Sequence, residues 1–278
     1  MATGYLIQLT ASGSSKGSVR SLLQLATRKD LRLRSVGNKA QGLARLERLG
    51  LRIPATYVCK WEAYEKWRSQ NPYLERNLKN ELASTLDLSA SFAVRSSANL
   101  EDGPLHSFAG QFESVLEVRG LDTLWEAICQ VWRSACGPNV NAYLEATGHN
   151  GQELKMAVII QEMVEPHTSG VAFSRNPITG MDEVVVEAVR GSGEALVQEG
   201  ITPKRWVEKW GMWVIQPPQT DMPESILREV VAGTRSVAKV WRKPVDLEWV
   251  YDGHALHWVQ ARAMTPLSDP DLYSNRIA

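Results

Sequence analysis

Two periodicities alternate along the chain. In "GNKAQGLARLERLGL", from Gly37, the residues Ala40, Leu43, Ala44, Leu46 and Leu49 form one helical stripe, with Gly50 as a stop signal and Pro54 beyond it. Helical segments are predicted from Trp61 to Ser69 and from Pro72 to Leu86, before the strand-like "SFAV". A polar loop follows, with Arg95 closing the first strand, and then a second strand, "FESVLEV". "LDTLWEAICQVWRSA" returns to helical spacing through Leu124, Ala127, Ile128, Val131 and Trp132, and a Gly-Pro break separates it from a helix near Asn139 to Ala146.

Past Gly151 the texture is β-rich: "MAVIIQEMV", "GVAFS", "EVVVEAV", "RWVEKW" and "MWVIQ". A long amphipathic helix opens at Pro223 and runs to about Arg242. Two last strands, "VDLEWVY" and "ALHWVQAR", are joined at Asp252-Gly253. A helix-rich first half and a sheet-rich second half predict an α+β architecture of two lobes, residues 1–150 and 151–278. The first thirty or so residues carry one short apolar run, Tyr5 to Leu9, which would pair as a strand only in context.

Composition narrows the partners. The 278 residues carry 31 basic and 31 acidic side chains, so no net field points to nucleic acid or an anionic membrane. Cys59, Cys129 and Cys136 form no CxxC pair, and no apolar run or leader-like start suggests a membrane or export route; a cytoplasmic protein is expected.

The candidate chemistry is local. Around Arg95, Gly110 and Ser114, glycine-exposed N–H groups beside a guanidinium suit an anion, although a solvated hairpin whose Arg95 pairs with Glu101 or Asp102 fits this stretch as well. Lys39 lies in the first turn of a helix, where the dipole already favours a phosphate. In the final hairpin Asp246 and Glu248 share one strand face, and Gln260 and Arg262 share one of theirs. A two-residue turn would set Glu248 opposite His257; an odd-numbered loop or a bulge would bring all four polar groups together. Two carboxylates and an amide oxygen suit Mg²⁺ shared with a nucleotide's phosphates, whereas a salt-bridged polar face needs no metal. Lys155, Gln161 and Met163 share a face of "KMAVIIQEMV", whose last residues have backbone groups to offer a planar base. The five histidines are scattered, and no Walker A loop, GxSxG elbow or Rossmann fingerprint is present.

Several segments in this order resemble the N-terminal nucleotide-binding domain of the phosphoenolpyruvate synthase, pyruvate phosphate dikinase and rifampicin phosphotransferase family. They are "VGNKAQGLARL", "FAVRSSANLED" with "SFAGQFES", "IIQEMV", "SGVAFSRNPITG", "EAVRGSGEALVQEGITP", and "VDLEWV" with "WVQAR". The resemblance implies an ATP-grasp fold with ATP between two lobes, Lys39 and Arg95 on the phosphates, and Gly110 with Ser114 in the loop over them. It implies Gln161 beside the nucleotide, Glu248 and Gln260 holding Mg²⁺, and Arg262 reaching the terminal phosphates. Ser114 stands where relatives often have threonine, "GSGE" replaces "GLGE", and "GPNVNAYLEATG" departs from the usual arginine-bearing helix. The expected activity is phosphoryl transfer from Mg-ATP to a histidine on a separate swivelling domain. That domain and the acceptor-binding domain, absent here, would be partners of this chain. A module that holds ATP without transferring it, and a rifampicin-phosphotransferase fragment, are the alternatives.

Overall fold

A computed structural model describes residues 4–9, 35–100, 112–136, 154–192 and 202–264. The chain forms two compact units, one of residues Met1–Arg48 and Pro54–Met163, the other of Leu49–Ile53 and Val164–Ala278. The division thus falls after Met163 rather than near residue 150. The reason is strand pairing: the run expected to open the second half lies in the middle of the first unit's sheet. The predicted helix near Asn139 to Ala146 and the loop glycine Gly110 lie outside the described residues.

In the first unit the described elements are β1 (Leu6–Gln8), α1 (Gly37–Arg48), β2 (Thr56–Cys59), α2 (Trp61–Arg68), α3 (Leu74–Thr85), β3 (Phe92–Ala98), β4 (Ser114–Val118), α4 (Leu121–Ser134) and β5 (Met156–Glu162). The sheet order is β1-β2-β5-β3-β4, every described pair antiparallel. Alternation gives the sheet two different faces. Tyr57, Cys59, Phe92, Val94, Val158 and Ile160 join the buried core. The helices complete it from their apolar stripes, with Leu74, Leu78 and Leu82 in α3 and Leu124, Ile128 and Trp132 in α4. Each such leucine removed from water contributes about 1.5–3 kcal/mol. Trp132 is the hub of an aromatic cluster, 5.6 Å from Trp67 and edge-on to Trp125 at 6.1 Å between ring centroids.

The other face carries Thr56, Gln161, Ala93, Arg95 and Ser97, in register across β2, β5 and β3. Arg95 does not end its strand. Ladder pairing with β5 continues through Ser96, Ser97 and Ala98, the last opposite Met156, so the two serines that read as loop are fully buried strand residues.

The second unit contains β6 (Thr168–Phe173), β7 (Val184–Arg190), β8 (Lys204–Lys209), β9 (Met212–Ile215), α5 (Glu224–Trp241), β10 (Val245–Tyr251) and β11 (Leu256–Ala263). They form an antiparallel sheet of order β11-β10-β6-β7-β8-β9. Helix α5 buries Leu227, Val230, Val231 and Val237, and ends where Arg242 turns left-handed at φ 54°. It packs so closely that a Cβ on Gly233 would lie 2.4 Å from the Trp258 ring. A Cβ on Gly170 would likewise meet the Glu187 carbonyl oxygen at 2.1 Å and the Trp249 ring at 2.7 Å. Both hairpin tryptophans, each 1 % exposed, therefore occupy space that glycines leave on the helix-covered face. Alternation then sends Asp246, Glu248, Gln260 and Arg262 to the opposite face.

Among the described residues no helix is long and apolar enough to cross a membrane. Cys59 and Cys129 are buried and unbridged, burial pushing the Cys129 thiol up to about 11. Both pack as small apolar residues, whereas Cys136 is exposed.

Candidate nucleotide site

In the first unit the site is built on the junction of α1 and β3. Gly37 has φ +75°, and a Cβ there would sit 2.0 Å from the Ser97 carbonyl oxygen, so only glycine lets the start of α1 rest on the strand. The buried Ser97 hydroxyl then works in both directions. It donates to the Val36 carbonyl at 2.7 Å and accepts the Ala40 N–H, one of the unpaired donors of the first helical turn, at 3.1 Å. Asn38 donates to the Asn99 carbonyl at 3.3 Å, and the Asn99 side chain accepts the Lys155 N–H at 2.9 Å. Lys39, half-buried, is thereby held at a helix N-terminus clamped to the strand that carries Arg95.

Arg95 stands directly opposite Ser114 on β4 and Ile159 on β5. Its guanidinium is half-buried and has no hydrogen-bonding or ionic partner among the described residues, an arrangement suited to an anion from outside the chain. Ser114 is exposed at the first residue of β4.

Gln161, 3 % exposed, lies on the same face as Arg95, opposite Thr56 and Ala93. Its amide donates to the Thr56 hydroxyl at 3.0 Å, which donates to the Pro54 carbonyl at 2.7 Å, so the side chain is fixed. The N–H groups that follow are already used: Glu162 donates to the Ala55 carbonyl at 2.9 Å and Met163 to the Ser91 carbonyl at 2.8 Å. Of the backbone groups expected to meet a base, these two donors belong to the sheet. Burial, reinforced by the Asp87 charge, raises the Glu162 carboxyl above its ordinary range.

In the second unit the hairpin resolves the register question unexpectedly. The loop is not a two-residue Asp-Gly turn, nor odd-numbered. It comprises the four residues Asp252 to Ala255, and pairing runs Tyr251 to Leu256, Val250 to His257 and Trp249 to Trp258. A bulge at Val259 then advances the register, setting Glu248 opposite Gln260 and Asp246 opposite Arg262. The loop is held by Asp252, whose carboxylate accepts the His254 and Ala255 N–H groups at 2.7 Å each and meets His257 Nε2 at 2.9 Å. Partial burial opposes ionisation there, yet these hydrogen bonds lower the Asp252 carboxyl to about 2.

The four groups divide into two pairs. Arg262 Nε donates to both Asp246 oxygens at 2.8 Å, which fixes its guanidinium beside the hairpin. Glu248 and Gln260 are half-buried and have no hydrogen-bonding or ionic partner among the described residues. One carboxylate and one amide oxygen are hard donors, and among the described residues no group of three His, Cys, Asp or Glu side chains gathers into a complete cage. That set fits Mg²⁺, which keeps waters and phosphate oxygens in its shell. The residues missed from sequence are those that build the site from behind: Ser97, Gly37 as a close-approach glycine, and Val259 as the bulge. Only the helix-opening position of Gly37 was a usable signal.

The fold is that of the ATP-grasp enzymes. An acetyl-coenzyme A synthetase of Ca. Korarchaeum cryptofilum, described as dinucleotide forming and in complex with coenzyme A and Ca-AMPCP, superposes with a TM-score of 0.51 over 89 % of this chain and 100 % of its own, at 10 % identity. Residues 74–220 match the family model "Pyruvate phosphate dikinase, AMP/ATP-binding domain". The chain belongs to that family. It is 32 % identical over 202 residues to a probable phosphoenolpyruvate synthase of Archaeoglobus fulgidus, covering 63 % of this chain and 27 % of that protein. It is 28 % identical over 316 aligned residues to a rifampicin phosphotransferase of Streptomyces sviceus, covering 89 % of this chain and 36 % of that one. The chain thus spans roughly a quarter to a third of the length of these curated relatives.

Proposed function

We propose that this chain binds ATP with Mg²⁺ and performs the ATP-consuming half of a dikinase-type reaction, passing phosphoryl from ATP to a histidine of a separate swivelling domain, most like phosphoenolpyruvate synthase. The observation that carries the reading is the hairpin register set with the Val259 bulge, in which Glu248 stands opposite Gln260, neither with a partner among the described residues, beside an arginine fixed by Asp246. Lys39 and Arg95 bind phosphates, Gly110 and Ser114 belong to the loop over them, Gln161 lies beside the base, and Arg262 meets the terminal phosphates. Mg²⁺ held by Glu248 and Gln260 supplies charge neutralisation to the phosphate oxygens. Lys39, Arg95 and Arg262 stabilise the charge that develops as the phosphoryl groups transfer, where most of the catalysis of such reactions lies. With AMP as product, the histidine nitrogen attacks the β-phosphorus, the bond from that phosphorus to the oxygen shared with the α-phosphorus breaks, and AMP leaves with that oxygen. The histidine carries the pyrophosphoryl group, whose terminal phosphate passes to water as inorganic phosphate. The acceptor of the second half-reaction lies with other domains. Unbridged cysteines accord with a cytoplasmic setting.

Calorimetry with ATP and Mg²⁺ tests the binding step. Saturable, Mg²⁺-dependent binding is expected, and an Arg95→Ala, Glu248→Ala double variant should lose it by about 100-fold or more. Full binding by the double variant would falsify the assignment. Adding a phosphocarrier domain in trans should yield AMP; binding without AMP would describe a module that only holds ATP.

A further inference from the structure

One cross-strand row on the face of the second sheet away from α5 continues beyond the metal pair. Gln260 lies opposite Glu248, Glu248 opposite Val171, Val171 opposite Glu187, and Glu187 opposite Arg205. Successive strands are about 4.8 Å apart, so Glu187 sits roughly 10 Å from Glu248 along the row. One flanking row carries Phe173, Val185 and Val207 beyond the Asp246–Arg262 pair, and the other carries Val250, Ser169 and Val189 beyond His257.

A further carboxylate in this row, two strands away from the metal pair, needs an explanation. Arg205 Nε approaches Glu187 Oε1 at 3.2 Å, yet this buried nitrogen is not aligned for a hydrogen bond. The pair is therefore an electrostatic clamp: it holds Glu187 in place, and leaves the carboxylate lone pairs without a protein donor among the described residues. Both side chains are partly exposed, Glu187 at 27 % and Arg205 at 34 %, so the acceptor is within reach of a ligand. An acceptor-only group suits a ligand that brings donors, and a vicinal diol offers two hydroxyls to one carboxylate. In a nucleotide whose phosphates share a metal with Glu248, the ribose lies an α-phosphate and a methylene away, a span of the same order as the row.

We propose that Glu187 accepts the ribose hydroxyls of the bound nucleotide and that Arg205 is the residue positioning it. The inference rests on the ATP-binding reading above and adds the sugar-recognising contact. It is tested by comparing ATP with 2′-deoxyATP, both with Mg²⁺, by calorimetry. The wild type should prefer ATP by roughly tenfold or more, the value of one hydrogen bond to a charged group. Glu187→Gln, which keeps size and strand packing, and Glu187→Ala should both bring that ratio close to one while the melting temperature shows the protein folded. Arg205→Lys should keep most of the preference and Arg205→Met should lose most of it; a merely structural pair would lower stability and leave the ratio alone. ATP binding with the same ratio in wild type and Glu187→Gln overturns the inference without touching the function. A wild type that binds neither nucleotide removes the function, and the inference with it.

Discussion

Each unit sets two polar side chains face to face across antiparallel strands, Arg95 with Ser114 in the first and Glu248 with Gln260 in the second. Both strand pairs contain an irregularity, but in different places. In the first it lies behind the functional pair, between Phe92 and Val94, where Glu117 on the partner strand has φ 56°. In the second it lies between the hairpin loop and the functional pair. The first pairing is supported from outside the hairpin by α1, clamped through Gly37 and Ser97. The second depends on local bookkeeping of residues around one turn. A site can thus be secured by a long-range contact or by the local register of one hairpin, and the two fail differently.

The long-range contact should be the more fragile. Gly37→Ala adds a Cβ against the Ser97 carbonyl at a left-handed φ, and relief requires α1 to move. A loss of about 2–4 kcal/mol is expected in urea denaturation, together with weakened ATP binding. An unchanged midpoint would mean that the clamp is not rigid.

The hairpin loop should answer to acid. The Asp252 carboxyl is depressed to about 2 in the folded protein, against about 3.9 in an unfolded chain. A depressed carboxyl contributes stability above the unfolded value and loses it as pH falls through the folded one. The stability difference between wild type and Asp252→Asn should therefore be full at neutral pH and fade between roughly pH 4 and pH 2. A difference that stays constant over that window would remove the charge from the account.

The smallest effect is expected from deleting Val259. Without the extra residue, regular pairing from the four-residue loop still places Gln260 opposite Glu248. Mg²⁺-dependent ATP binding should stay within a few-fold of wild type. A large loss would show that the bulge's added twist, and not only its register, shapes the site.

Helices α3, α4 and α5 were legible because their apolar residues repeat with the helical period and nothing competes with that signal. The strands of the second unit were legible for the parallel reason. Other features were hidden by what a single sequence cannot express. "MAVIIQEMV" looks like the β-runs that follow it, and only pairing with β2 and β3 assigns it to the first unit. Ser96 and Ser97 look like loop because serine is polar; they are buried because β5 supplies their backbone partners and, for Ser97, α1 supplies the hydroxyl's. Family resemblance located the candidate residues, and it is alternation along each strand that makes Asp246 share a face with Glu248.

The sequence by itself determined the element types, the α+β character and the identity of the polar residues held in otherwise apolar strands, since these follow from periods of 3.6 and 2 and from side-chain chemistry. The tertiary structure alone decided which strands pair and which residues stand opposite one another. It decided that a bulge at Val259, and not an odd-numbered loop, joins Glu248 to Gln260, and that Glu187 extends their row. Register is a relation between segments far apart in the chain, set by packing on the covered face, and a one-residue shift in it reverses every side chain.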